Sequence, residues 1–197
     1  MLTNDEINHL EQVIDFWFNR LTSEDWFTQS HKVDQEIITL FSAPYNLFKA
    51  RNLDQMDLSS DHILAAIILF DQMPRNMFRN HAQSFATDDL ALSLAKMALA
   101  GGHDLGMTDI QKSFIYLPLE HSENLKDQEL CVSLFQQRTD LALQVDYAIR
   151  HRDIIQQFDR FPHRNAILGR VSTADEKKYL AEGGETFGTS KGSESHD

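Results

Sequence analysis

Apolar residues recur at helical spacing along most of the chain, so that each segment has one apolar face and one polar face. The first such segment follows Thr3, whose distance from Glu6 is that of a capping box, and it should end near Asn19. Thr173 and Glu176 form a second capping box before a short terminal helix. No segment alternates strictly between apolar and polar residues, so the pattern predicts an all-α fold without a β-sheet.

Proline, glycine and hydroxyl residues mark the breaks between the predicted helices. Pro44 should interrupt the second helix, and Thr87 should cap a helix that the pair Gly101-Gly102 ends. Residues 61–72 are apolar on nearly every face, which indicates a central buried helix. Residues 124–158 have the pattern of one long or kinked helix.

The length and the short linkers indicate one domain. A chain of 197 residues has the size of a single domain with one core. We predict antiparallel helix pairs in one compact domain that spans residues 1–182. Residues 183–197 are rich in glycine, serine and threonine, and we expect them to form a flexible tail.

Charge and cysteine content narrow the classes of partner. The formal net charge of −12 makes binding to nucleic acid or to an anionic membrane unfavourable. The single cysteine, Cys131, lies in an apolar run, which indicates a buried structural thiol in a reducing compartment. The N-terminal residues lack the pattern of a signal peptide, and residues 63–70, the longest apolar run, are too short to span a membrane. We therefore expect a cytoplasmic protein without a membrane partner.

Two similar helix ends, residues 70–76 and 158–165, concentrate cationic and amide side chains. Chance or an old duplication explains this repeat equally well. Guanidinium groups bind carboxylate or phosphate through paired hydrogen bonds, so convergence of the two ends would make a pocket for a small anion. The candidate ligand-binding residues are Arg75, Asn76, Arg79, His163, Arg164, Asn165 and Arg170. The alternative is structural, with Arg75 paired to Asp71 and Arg164 paired to Asp159.

A second polar cluster surrounds Pro118. Glu120 and His121 are candidates for a general acid or base, because a histidine beside a carboxylate titrates near neutral pH. Glu120, His121 and His151 could instead hold a metal ion in a metal-dependent enzyme, although the helical spacings typical of di-iron and zinc sites are missing. A buried polar network that locks the helices is a third interpretation. Nucleotide-binding motifs are absent, and the sequence predicts no cofactor.

A different class of function is a protein-interaction module without catalysis. A concave helical surface would then receive a protein or peptide, as helical repeats do. Its diagnostic residues would be exposed aromatics, for which the candidates are Trp26, Phe27, Phe48 and Phe78.

Four polar motifs, in this order, resemble those of the bacterial family catalogued as domain of unknown function 924. The motifs are Leu69-Phe70-Asp71-Gln72-Met73-Pro74-Arg75-Asn76, Phe85-Ala86-Thr87-Asp88, Tyr116-Leu117-Pro118-Leu119-Glu120-His121-Ser122-Glu123 and Arg160-Phe161-Pro162-His163-Arg164-Asn165, the last followed by Leu168-Gly169-Arg170. The resemblance implies an all-helical, tetratricopeptide-like fold, and it carries over no activity. Met73 stands where a phenylalanine is usual in the family, and Asp159 where a glycine is usual.

Overall fold

The described residues fold into α-helices joined by turns and loops. A computed structural model describes residues 1–53 and 56–187, and these residues contain no β-strand, which confirms the predicted all-α class. In chain order the helices are α1 (Asn4–Asp15), α2 (Ser23–Phe27), α3 (His31–Lys49), α4 (Ser60–Ile67), α5 (Met73–Met77), α6 (Asp88–Ala100), α7 (Asp109–Glu120), α8 (Leu125–Arg138), α9 (Ala142–Phe158) and α10 (Ala174–Ala181). Most of the predicted flexible tail, residues 188–197, lies outside the described residues.

Helix α4 occupies the centre of the core, as its sequence predicts. It packs against α1, α6 and α7, and every residue from Ile63 to Phe70 is at most 1% exposed. Helices α6, α7, α8 and α9 pack on one another in chain order. These contacts agree with paired helices, and the tetratricopeptide-like arrangement stays a prediction. No helix among the described residues is both long and apolar enough to cross a membrane.

Two helices change to a wider helical geometry before they end. Helix α1 continues as the π-helical turn Phe16–Arg20, and α4 continues as the π-helical turn Ile68–Gln72. Short 3₁₀ turns form at Ala82–Phe85 and at Pro162–Arg164. Because π-helical turns are frequent at functional sites, the turn at the end of the central helix marks a region of interest.

The helix ends follow the predicted capping signals with one exception. Thr3 with Glu6 and Thr173 with Glu176 form the two predicted capping boxes, and Gly102 takes a left-handed φ of +67° after α6. Thr87 is the N-cap residue of α6, as predicted, but its side chain makes no capping hydrogen bond. Its hydroxyl instead donates a hydrogen bond of 2.7 Å to the carbonyl oxygen of Phe70, which fixes the start of α6 against the π-helical turn.

Pro44 does not interrupt its helix, in contrast to the prediction. Helix α3 continues through it from His31 to Lys49. Residues on both sides of the proline share one buried face with it: Val33, Ile37, Phe41, Pro44, Tyr45 and Phe48. Burial of that continuous face outweighs the one backbone hydrogen bond that the proline cannot donate.

The predicted single helix over residues 124–158 is two helices, α8 and α9. Side chains from the start of α7 hold the break: Lys112 donates to the Arg138 carbonyl at 2.9 Å, and the Asp140 amide donates to Asp109 at 2.9 Å. The periodicity of α8 and α9 carries no signal for this break, because the residues that stabilise it come from another helix.

An aromatic cluster joins the N-terminal helices to α7. The ring of Phe114 is 1% exposed and meets Trp17, Phe18 and Trp26 edge-on, with centroid distances of 5.6, 5.6 and 5.2 Å. The Trp26 indole donates to the Trp17 carbonyl at 2.9 Å. Phe114 is therefore the residue that three aromatic side chains share.

Replacing Phe114 with alanine should lower the free energy of unfolding by about 3–5 kcal/mol, because the substitution leaves a cavity among these rings. Phe27→Ala is the matched control, because Phe27 is 64% exposed and its truncation should change the free energy by less than about 0.5 kcal/mol. Urea denaturation of the parent and both variants measures the difference. Equal effects of the two substitutions would contradict the packing described.

Candidate functional site

A cavity of about 130 Å³ lies where α5, the end of α7, α9 and the 3₁₀ turn at Pro162–Arg164 meet. Its described lining contains three arginines and three histidines and no acidic residue. The lining residues are Arg75, Arg79, Asn80, Ser84, Phe85, His121, His151, His163, Arg164, Ile167 and Phe187. The two helix ends that share a sequence pattern thus meet at one cavity, together with the Pro118 cluster.

Directly behind this lining, Asp71 is a fully buried carboxylate in the π-helical turn. His121 lies 2.8 Å from one carboxylate oxygen through Nδ1, and the Gln72 amide donates to the other at 2.5 Å. Burial alone would raise the pKa of Asp71, but Arg75 and His121 overcome it and hold that pKa well below its usual value. Asp71 is therefore ionised at neutral pH.

His121 follows the last residue of α7 and lines the cavity. Burial and the nearby Arg75 lower its pKa, so the ring is neutral at pH 7. Since an ionised carboxylate only accepts hydrogen bonds, Nδ1 carries the proton that it donates to Asp71. Nε2 is then the unprotonated, basic nitrogen of the ring.

Two of the arginines are neutralised by carboxylates outside the cavity. Arg75 makes two hydrogen bonds to Asp88, of 3.1 and 3.2 Å, and lies 3.5 Å from Asp71. Arg79 likewise donates twice to Asp34, at 2.8 and 2.6 Å. The pairing of Arg75 with Asp71, which the structural alternative predicts, therefore forms.

Arg164 differs from the other two because no carboxylate among the described residues accepts a short hydrogen bond from it. It donates to the His121 carbonyl at 3.0 Å and lies 3.7 Å from Asp88. Its guanidinium packs over the rings of Phe85 and Phe161, at 4.9 and 4.4 Å. Burial and the charge of Arg75 lower the pKa of Arg164 to about 10, so the group stays charged at neutral pH but is poorly compensated.

The structural pairing of Arg164 with Asp159 does not form. Asp159 is exposed and ends α9 with a left-handed φ of +57°. A residue without a side chain adopts this conformation most easily, which fits the glycine that is usual at this position in the family that the motifs resemble.

Glu120 lies beneath the cavity rather than in its lining. The residue is 4% exposed, and its Oε1 is 3.3 Å from Nδ1 of His151. Burial and the negative charge of Asp71 raise the pKa of Glu120 to about 8, while burial holds the pKa of His151 well below its usual value. At neutral pH this contact therefore joins two uncharged groups, and it is not an ion pair.

Three of the other predicted ligand residues contact neighbouring side chains outside the cavity. Asn76 donates to Asp34 at 2.8 Å, Asn165 donates to Ser172 at 3.0 Å, and Arg170 binds Glu123 at 2.6 Å. They hold the loops around the site and do not face it.

Sequence reasoning missed Phe85 and Asp88, which contact two of the arginines. Both residues belong to the motif Phe85-Ala86-Thr87-Asp88, one of the four that resemble the family. This motif was the sequence signal that could have identified them as site residues. Phe187 was also missed, since its segment was predicted to be flexible. The described part of this segment contacts the domain, because the Glu185 amide donates to the Tyr179 hydroxyl at 2.9 Å.

The metal site that the sequence offers as an alternative can be compared with the described structure. Among residues 1–53 and 56–187, no group of three or more histidine, cysteine, aspartate or glutamate side chains is positioned to hold a metal ion.

Of the aromatics proposed for a peptide surface, Phe27 is exposed, Trp26 and Phe78 are half-buried, and Phe48 is fully buried. Cys131 is a buried free thiol, as predicted.

Comparison with known proteins identifies relatives without assigning an activity. The sequence profile described as "Bacterial protein of unknown function (DUF924)" matches residues 13–184. A solved structure of a protein of unknown function from Agrobacterium tumefaciens is 35% identical, with a TM-score of 0.84 over 91% of this chain and 100% of that one. A search of curated proteins finds no match.

The raised pKa of Glu120 predicts a loss of stability at alkaline pH. Between the ordinary pKa of 4.5 and the folded-state value of about 8, the folded protein keeps a proton that the unfolded chain releases. The free energy of unfolding therefore falls as the pH rises through this window. Glu120→Gln should remove this fall. The free energy of unfolding of the variant minus that of the parent should therefore be about 2–5 kcal/mol larger at pH 9 than at pH 5.

Urea denaturation at both pH values measures this difference. Glu123→Gln is the control. Burial raises the pKa of Glu123, but hydrogen bonds from Arg170 and the Phe161 amide outweigh burial and hold this pKa low. Removal of the Glu123 carboxylate should therefore not stabilise the protein at alkaline pH. Parallel pH profiles for the parent and Glu120→Gln would contradict the burial of an acidic proton at this position.

Proposed function

The chain belongs to the DUF924 family of bacterial proteins of unknown function, and we propose that it binds a small anion, a phosphate- or carboxylate-bearing molecule, in this cavity. The observation that carries the proposal is the composition of the lining. A chain with a net charge of −12 surrounds one cavity with arginine and histidine and with no described acidic side chain. Such a lining offers many hydrogen-bond donors, which suit carboxylate or phosphate oxygens.

The arrangement of charges indicates which arginine binds the ligand most directly. The carboxylates of Asp34 and Asp88 bind Arg79 and Arg75 from behind, which fixes the two guanidinium groups and reduces their net attraction for an anion. Within residues 1–53 and 56–187, Arg164 has no equivalent partner and lies 3.7 Å from Asp88. We therefore assign the principal charge contact to Arg164.

The size of the cavity limits the ligand. Pockets for drug-sized molecules measure about 300–1,000 Å³, and this cavity of about 130 Å³ is much smaller. A small metabolite, or the anionic part of a larger one, matches the space. Because a single buried thiol, Cys131, suits a reducing compartment, we propose a cytoplasmic metabolite.

His121 is the proposed acid or base of the site. Its neutral ring lines the cavity, and its hydrogen bond to Asp71 fixes the tautomer with a basic Nε2. A histidine oriented by a buried aspartate in this way can take a proton from a ligand or from a water molecule and return it. Glu120, the other predicted acid or base, lies beneath the lining, 3.3 Å from Nδ1 of His151. That nitrogen already donates its proton to the Tyr147 carbonyl, so we assign no proton transfer to Glu120.

Calorimetric titration with inorganic phosphate and with acetate tests the binding proposal. The parent should bind at least one of the two anions, and Arg164→Met should weaken that binding about tenfold or more, because it removes charge while keeping apolar volume between Phe85 and Phe161. Arg160→Met is the matched control, since Arg160 binds Glu176 outside the cavity, and it should retain the parent affinity within about twofold.

Two results would contradict the proposal. One is a parent protein that binds neither anion by calorimetry and gains no thermal stability from either. The other is an equal loss of affinity in Arg164→Met and Arg160→Met, since Arg164 belongs to the described lining and Arg160 does not. Urea denaturation without ligand separates these effects from any change in folding.

Histidine NMR titration tests the assignment of His121, with its resonances identified by their loss in His121→Asn. The pKa of His121 should lie below the ordinary value of 6.5, and Asp71→Asn should lower it further because the aspartate charge favours the imidazolium. Phosphate should raise this pKa in the parent, since a nearby anion also stabilises the protonated ring. A pKa of His121 that phosphate leaves unchanged would place the anion elsewhere.

A further inference from the structure

The side chain of Phe187 occupies an aromatic pocket at one end of the cavity. Its ring stacks on His151 with a centroid distance of 3.5 Å and an interplanar angle of 15°. Two rings stand edge-on beside it, Phe161 at 6.5 Å and His163 at 5.8 Å. We call His151, Phe161 and His163 the aromatic box.

The aromatic box is built into the domain and is uncharged at neutral pH. His151 and Phe161 are 5% and 0% exposed, and the Nδ1 of His151 donates to the Tyr147 carbonyl at 2.8 Å. Burial lowers the pKa of His151 well below its usual value, and burial with the charge of Arg164 lowers that of His163 to about 3. The box therefore presents flat, neutral surfaces that suit a planar ring.

Phe187 fills the box at the cost of an unfavourable backbone conformation. Its backbone has a φ of +46°, which is unfavourable for a bulky residue. The contacts of the segment before it include the hydrogen bond from the Glu185 amide to the Tyr179 hydroxyl and an ion pair between Glu185 and Arg150, whose side chains are 44% and 46% exposed. Exposed ion pairs contribute little, so another ring of similar shape can compete for the box.

The box adjoins the proposed anion site through Arg164. The guanidinium of Arg164 lies 4.4 Å from the centroid of Phe161, which is one wall of the box. If an aromatic ring in the box bore an acidic substituent, that substituent would lie near the guanidinium of Arg164, the least compensated charge of the described lining.

We infer that the aromatic box is the subsite for the ring of an aromatic acid, and that Phe187 is the chain's own competing occupant of this subsite. The inference rests on the proposed function, because Arg164 would bind the acidic group. It specifies the ligand class as an aryl phosphate or aryl carboxylate.

Two phosphate monoesters that differ only in the ring test this inference: phenyl phosphate and methyl phosphate. Calorimetry on the parent, Phe187→Ala and the control Phe27→Ala gives the affinities. Removal of an internal competitor should let Phe187→Ala bind phenyl phosphate at least about tenfold more tightly than the parent, with methyl phosphate changed by less than about twofold. Phe27→Ala should match the parent for both esters.

Three other outcomes would overturn the inference. If Phe187→Ala weakens the binding of both esters, Phe187 is a lid that covers the ligand. If both esters bind the parent but phenyl phosphate gains nothing from the substitution, the box is not a ring subsite, while the proposed anion site stands. If neither ester binds any of the proteins, the proposed function fails and the inference fails with it.

Discussion

The carboxylate of Asp71 is buried at the end of the central helix, and a buried charge is tolerated only where donors and opposite charge surround it. Gln72, Arg75 and His121 meet this requirement, and two of them thereby reach the cavity wall. The π-helical turn at Ile68–Gln72 places Asp71 in this position, and the hydrogen bond from Thr87 to Phe70 fixes α6 against the same turn. The first residue of α6, Asp88, then binds Arg75. The need to satisfy one carboxylate thus links α4, α5, α6 and α7.

The cavity consequently has two layers of opposite character. Arginine and histidine side chains form the described lining, while Asp34, Asp71 and Asp88 lie behind it. The rear carboxylates fix the donors, and no acidic side chain belongs to the described lining. This arrangement is how a strongly acidic protein could hold the proposed anion, and among the three described lining arginines it leaves Arg164 with the weakest compensation.

Local sequence signals were sufficient for features that neighbouring residues determine. The buried run 63–70, the capping boxes and the glycine at the end of α6 all formed as predicted. Features that depend on distant residues were not predictable in this way: α3 passes through Pro44 because a continuous face is buried, and α7 side chains break the stretch between α8 and α9. In the site, the motifs indicated Arg75, His121 and Arg164. Only the fold shows that Asn76, Asn165 and Arg170 contact other side chains instead, and that Phe187 reaches His151.

The proposed function requires that the cavity between Arg164 and His121 binds an oxyanion. Its most direct test is an anomalous X-ray difference map from crystals grown with tungstate, a tetrahedral oxyanion with strong anomalous scattering. We expect a tungstate peak inside the cavity, within hydrogen-bond distance of Arg164, that disappears in Arg164→Met crystals. Peaks confined to exposed lysine and arginine side chains, with none in the cavity, would contradict it.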